Sequence, residues 1–137
     1  MPVPSVLRVF LAVLWLWPTT ALAQVEQWQS HMDAATTAYQ QGNYPEAEKQ
    51  LVAALKEAER FGPQDPRLAR TLSSLAEFYE IQGKYAEAEP LHKRALAIFE
   101  KALGPEHRNV AQSLNNLAVQ YCTQDNPIRS KIQHLRF

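Results

Sequence analysis

A seven-residue segment that recurs along the chain limits the possible folds more than any other feature. The sequence GNYPEAE at 42–48 recurs 41 residues later as GKYAEAE at 83–89, with five of the seven positions identical. Apolar positions then recur at a spacing of 42, which pairs Leu72, Leu75, Ala76 and Tyr79 with Leu114, Leu117, Ala118 and Tyr121. Such a fixed period is the signature of repeat architectures, in which neighbouring units stack to bury a shared core.

The first half of each repeat is predicted to be an amphipathic helix. In the middle repeat this helix spans about Arg67 to Gln82, where apolar side chains at three- and four-residue steps form one stripe. Asp65 supplies a capping acceptor, and the ring of Pro66 fits the first helical turn. Gly83 suits the left-handed residue that ends a helix, so a turn is expected there.

The second half is predicted to be another helix that packs back on the first. Its apolar stripe runs from Tyr85 to Phe99, and Gly104 with Pro105 closes it. Ala76 and Ala88 fall a few residues either side of the turn, where two antiparallel helices cross closely. A large side chain at either alanine should therefore separate the pair.

The family that this chain resembles is the tetratricopeptide repeat, through Leu75, Ala76, Tyr79, Gly83, Tyr85, Ala88 and Ala95. The usual unit has about 34 residues. The unit of about 42 residues, with Gly-Pro-Glu-His at 104–107, is similar to the kinesin-light-chain subtype. The resemblance covers roughly Trp28 to Tyr121. It implies an all-α fold, a short α-solenoid of antiparallel helix pairs with about two and a half units.

The domain is expected at 24–124, with repeats at about 28–66, 67–108 and a partial unit at 109–124. In the first unit, Trp28 to Gln41 is the expected first helix, and its small residues suggest a polar end cap. The third unit stops after its first helix, because the atypical tail at 125–137 lacks the spacing of a second one.

This break leaves an apolar face of the last helix, with Leu114, Leu117 and Tyr121, without a partner helix. The tail could fold back over it, or another chain could cover it. The chain could also be a shortened relative of a longer array, which the abrupt break favours. The residues through which the tail would fold back are Ile132, Leu135 and Phe137.

Residues 1–23 are expected to be a signal peptide that is cleaved after Ala23. Arg8 precedes an apolar run from Val9 to Trp17, and small residues follow. The run is shorter than the roughly 20 residues that span a bilayer. We therefore expect an exported protein of the bacterial periplasm or the extracellular space. Retention of the segment would instead give a membrane-tethered assembly factor.

Composition and residue spacing argue against several classes of protein. Lys and Arg number 14 and Asp and Glu number 14, so nothing attracts nucleic acid. Cys122 is the single cysteine, which excludes an internal disulfide. Of the four histidines, His92 is expected between packed helices, while His31, His107 and His134 form no metal pair. No nucleophile elbow or phosphate loop is present, so neither catalysis nor a cofactor or metal is expected.

The resemblance implies that the first helices line a concave groove for a peptide segment, often using asparagine amides that both donate and accept hydrogen bonds. Asn115 and Asn116 match these asparagines, and Ser73 and Ser74 occupy the equivalent place one repeat earlier. Glu77 and Glu80 could add polarity to the groove. The other interpretation is that these six residues form ordinary solvated helix faces. The expected function is interaction with a protein or peptide partner, or self-assembly into a homo-oligomer. The alternative is a truncated remnant without independent function.

Overall fold

The computed structural model describes the backbone of residues 5–124 and the side chains of residues 20–124. This part of the chain contains five helices and no strand: α1 (Ser5–Gln40), α2 (Tyr44–Glu59), α3 (Pro66–Ile81), α4 (Tyr85–Leu103) and α5 (Arg108–Gln124). Each helix packs mainly on its neighbours in sequence. Two antiparallel pairs are thus followed by the first helix of a third pair, which confirms the predicted short all-α solenoid.

The start of α3 follows from the two residues identified in the sequence. The Asp65 side chain accepts a hydrogen bond from the backbone N–H of Arg67 at 2.9 Å, and Pro66 occupies the first turn. The Asp65 carboxylate also forms an ion pair with the Arg67 guanidinium at 2.7 Å. Hydrogen bonding to Arg67 holds the pKa of that carboxyl below its usual range. The predicted cap is therefore confirmed.

The turn between α3 and α4 depends on a glycine. Gly83 has φ of 77°, a left-handed conformation that is unfavourable for residues other than glycine. The next residue, Lys84, donates its backbone N–H to the carbonyl of Tyr79 at 2.8 Å. This bond satisfies a carbonyl at the end of α3 and reverses the chain.

The first helix differs from its predicted bounds of Trp28 to Gln41. It begins at Ser5, and the sequence between Thr19 and Gln40 contains no glycine or proline that would end it before Gln40. Its second half is not a polar cap, since Trp28 and Met32 are buried in the core. In the described part of the chain, no helix combines the length and apolarity needed to cross a membrane.

One apolar core runs through the stack, from Trp28 in α1 to Val110 in α5. Alanines occupy many of its most buried positions, which lets neighbouring helix axes approach to about 8–10 Å. The alanines with no exposed surface are Ala47, Ala54, Ala58, Ala69, Ala76, Ala88 and Ala95. Because there is no space at these positions, side-chain size sets the separation of the helices.

The last helix carries a stripe that nothing in the described chain covers. Leu114 is 50% exposed, whereas its equivalent one repeat earlier, Leu72, is 0% exposed. The exposed residues on this side of α5 are Ala111, Leu114, Ala118 and Cys122, which we call the open face. The predicted uncovered face is confirmed at Leu114.

Two of the three residues predicted for that face lie elsewhere. Leu117 is buried, because it packs against the preceding repeat. The Tyr121 hydroxyl donates to the Glu89 carboxylate of α4 at 3.0 Å, so this side chain also faces backward. The proposed covering residues of the tail, at 125–137, lie outside the described residues.

Ala88→Leu should separate α3 from α4. Overpacking a filled core costs about 1–3 kcal/mol of the free energy of unfolding. Urea denaturation followed by circular dichroism measures this cost. The matched control is Ala86→Leu, an exposed site on the same helix, where we expect a change within about 0.5 kcal/mol. Equal losses in the two variants would contradict the close crossing.

Candidate peptide-binding surface

Hydrogen bonds between side chains hold the first helices of successive pairs next to one another. The Trp28 indole of α1 donates to the Thr71 hydroxyl of α3 at 2.8 Å, and both side chains are buried. The Asn116 amide of α5 donates to the Glu77 carboxylate of α3 at 3.0 Å. As a result α1, α3 and α5 share one surface, which we call the groove and which contains two hollows.

The larger hollow lies between α3 and α5 and has a volume of about 370 Å³. We call it the polar hollow. Its lining consists of Arg70, Ser73, Ser74, Glu77, Phe99, Asn109, Gln112, Ser113 and Asn116. All but one of these side chains carry hydrogen-bonding atoms, so the hollow presents both donors and acceptors.

Several of these polar groups have no partner within the described residues. Ser73, Ser74 and Gln112 make no side-chain hydrogen bond there, whereas the Ser113 hydroxyl is engaged with the backbone carbonyl of Asn109 at 2.9 Å. A hydroxyl or an amide can donate and accept at once. The polar hollow can therefore satisfy both the N–H and the C=O groups of an added backbone.

The smaller hollow lies between α1, α2 and α3 and measures about 190 Å³. We call it the apolar hollow, and its lining is Met32, Ala35, Thr36, Tyr39, Ala47, Leu51, Ser74, Glu77, Phe78 and Ile81. Ile81 is 59% exposed and Tyr39 is 40% exposed at this site. The sequence pattern did not predict this hollow. The available signal was Ile81, an apolar residue that stands outside the core stripe of α3.

Four of the six candidate residues come together in the polar hollow, namely Ser73, Ser74, Glu77 and Asn116. Ser74 and Glu77 also line the apolar hollow, so they form the wall between the two. Asn115 is exposed but lines neither hollow. Its repeat equivalent, Ser73, lines the polar hollow between α3 and α5, whereas no described helix follows α5 to form a further hollow.

Glu80 also lies away from both hollows, because it faces α4. Its carboxylate is 3.3 Å from Nε2 of His92, which is 0% exposed. Neither ring nitrogen of His92 has a hydrogen-bond partner among the described residues. Burial lowers the pKa of His92, with the Glu77 charge acting in the opposite sense, and burial raises the pKa of Glu80. His92 thus lies between packed helices, as predicted.

The stacked pairs and their shared surface define the class of protein, an α-solenoid. Residues 67–130 match the tetratricopeptide repeat family, and the match includes α3 from its second residue together with all of α4 and α5. Residues 67–130 are therefore identified as tetratricopeptide repeats. Tetratricopeptide repeats are protein–protein interaction modules, and the fold is not an enzymatic one. The kinesin-light-chain subtype stays a prediction.

His92 should make stability depend on pH. Its folded-state pKa is lowered from the ordinary 6.5, so the unfolded chain binds the proton first as the pH falls. Stability present above the ordinary pKa is therefore lost as the pH falls toward and through the folded-state value. Glu80 has the opposite effect on stability. Its pKa is raised, so the folded chain binds a proton before the unfolded chain does as the pH falls toward 4.5, and this proton stabilises the fold.

The comparison of wild type with His92→Leu isolates the histidine. Urea denaturation should show wild type losing stability relative to this variant between about pH 7 and pH 5. His107→Gln is the control, because His107 is an exposed residue of the connection before α5. A pH-independent difference between wild type and His92→Leu would contradict the burial argument.

Proposed function

We propose that this protein holds a segment of a partner protein in the groove. The observation that supports this most is the set of unpartnered hydroxyl and amide groups of α3 and α5 that share the polar hollow. A bound backbone needs partners for its N–H and C=O groups when water is displaced. Ser73, Ser74 and Gln112 offer those partners without breaking a bond within the repeat.

The adjoining apolar hollow supports the same function. Tyr39 and Ile81 leave apolar surface accessible beside Ser74 and Glu77. Binding sites commonly combine such a hollow with a few convergent polar groups, because burial supplies affinity while the polar groups fix orientation.

Asn116→Ala should weaken the binding of a peptide selected from a random displayed library. Each lost hydrogen bond is worth about 0.5–1.5 kcal/mol, which corresponds to a roughly two- to tenfold higher Kd by calorimetry. Asn115→Ala is the matched control, since it removes the same side chain from the next position on α5, outside both hollows. Equal affinities in both variants would contradict binding at the groove, provided circular dichroism shows unchanged folding.

Self-assembly is a second candidate, and the open face of α5 favours it. Exposed apolar stripes of this kind mark interaction surfaces. A second copy could bury Leu114, as its repeat equivalent Leu72 is buried in the core.

We expect a dimer by light scattering, measured with a reducing agent so that Cys122 cannot join chains covalently. Leu114→Lys should reduce the mass to that of a monomer, because it places a charge on the contact. Val119→Lys is the control, since Val119 is equally exposed on α5 but lies off the open face. A folded wild-type monomer would contradict self-assembly. An unfolded or aggregating chain would favour the remnant.

We also propose export, with cleavage after Ala23. This point falls within α1, yet the described side chains before it, at 20–23, are exposed, and the first core residue among the described side chains is Trp28. Loss of the segment should therefore leave the core intact. Intact mass of the chain recovered from a bacterial periplasm should correspond to a start at Gln24. An uncleaved mass in the membrane fraction would favour the tethered assembly factor.

A further inference from the structure

We propose that the groove recognises a peptide with a particular order of side chains: a large apolar residue, a cationic residue beside it, and an acidic residue about three positions further along. This inference rests on the proposed binding of a peptide in the groove. It adds the chemical class of that peptide. Three features of the two hollows carry it, one for each side chain.

The apolar hollow selects the first side chain. Its volume is about 190 Å³, and an engineered cavity of about 150 Å³ holds benzene. An aromatic ring or a branched aliphatic side chain therefore fits, whereas a small side chain leaves the hollow partly empty. Phe78 and Leu51 are buried beneath it, and the exposed surfaces of Tyr39 and Ile81 are available for contact. One large apolar anchor is the occupant that this lining favours.

Glu77 selects the cation. Among the described residues that line the two hollows, it is the only carboxylate, and it belongs to the wall between them. Asn116 donates to one carboxylate oxygen at 3.0 Å and so fixes the direction of the side chain. The carboxylate keeps further acceptor capacity for a ligand. A lysine or arginine next to the apolar anchor reaches this charge.

Arg70 selects the acid at the other end. It is the only cation that lines either hollow in the described chain. Its guanidinium lies 5.9 Å from the centroid of the Trp28 ring, at the outer limit of a cation–π contact. A guanidinium pairs well with a carboxylate because two parallel hydrogen bonds can form.

The spacing of the two charges sets the spacing in the peptide. Glu77 follows Arg70 by two turns of α3, a rise of about 10 Å. An extended chain covers about 3.3 Å per residue, so three residues span that distance. The side chains that α5 contributes to the polar hollow are neutral. The peptide therefore lies along α3, whose Glu77 and Arg70 pair with its charged side chains, while α5 supplies hydrogen bonds.

Charge reversal tests this inference. Random peptides displayed on phage are selected against the whole chain and sequenced, first for wild type and then for Glu77→Lys and Arg70→Glu. Wild type should enrich the stated order. Glu77→Lys should replace the cation beside the apolar residue with an acid, and Arg70→Glu should replace the distant acid with a cation. The matched controls are Glu100→Lys and Arg94→Glu, exposed charges on α4 outside both hollows.

A measurement on one selected peptide guards against variants that do not fold. Glu77→Gln keeps an oxygen for Asn116 and removes only the charge. It should raise Kd by about two- to fivefold, as expected for an exposed ion pair. Glu100→Gln should leave Kd unchanged. A peptide that lacks the cationic residue should bind wild type and Glu77→Gln with the same Kd.

The outcomes separate the two proposals. This inference would be overturned if the selected peptides showed no order of charges, or if the order stayed the same after both charge reversals. Peptide binding in the groove would still stand in either case, provided Asn116→Ala weakened the affinity. Enrichment that no groove variant affects, or no enrichment at all, would overturn both.

Discussion

The close crossing of two helices within each pair is the constraint on which the rest of the structure depends. Ala76 and Ala88 have no exposed surface, so α3 and α4 approach to a distance that only small side chains permit. Gly83 reverses the chain between them with a left-handed conformation. Local turn chemistry and side-chain size thus specify the same hairpin, and this agreement lets a unit of two helices form a stable layer.

The groove is a consequence of stacking such layers rather than of any single helix. The second helices α2 and α4 link successive first helices along the chain, and buried polar contacts such as that of Trp28 with Thr71 fix the register of the first helices. A hydrogen bond between buried partners is costly to break, because each group would then lack water as a substitute. The same stacking explains the open face of α5. Leu114 repeats the role of Leu72, but no described helix follows to cover it.

The helix caps and turns could be predicted from the sequence, because local patterns of residues determine them. Asp65 and Gly83 could be identified because caps and left-handed turns depend on a few neighbouring residues. Placement in the polar hollow could be foreseen for Ser73 and Ser74, since equivalent repeat positions point in equivalent directions. The apolar hollow could not, because it forms only where three helices converge. The backward orientation of Tyr121 was also missed, because its acceptor Glu89 belongs to another helix.

The proposed self-assembly and the proposed peptide binding would be compatible, because they would use different sides of α5. Asn116 faces the polar hollow. Leu114 precedes it by two residues, a rotation of about 200° around the helix axis. A second copy that covers Leu114 would therefore leave Asn116 accessible. Covering the open face would also add packing to α5, which holds Asn116 against Glu77 at 3.0 Å. Pairing of two chains would then stabilise the Asn116–Glu77 contact in the groove, so that assembly would strengthen peptide binding.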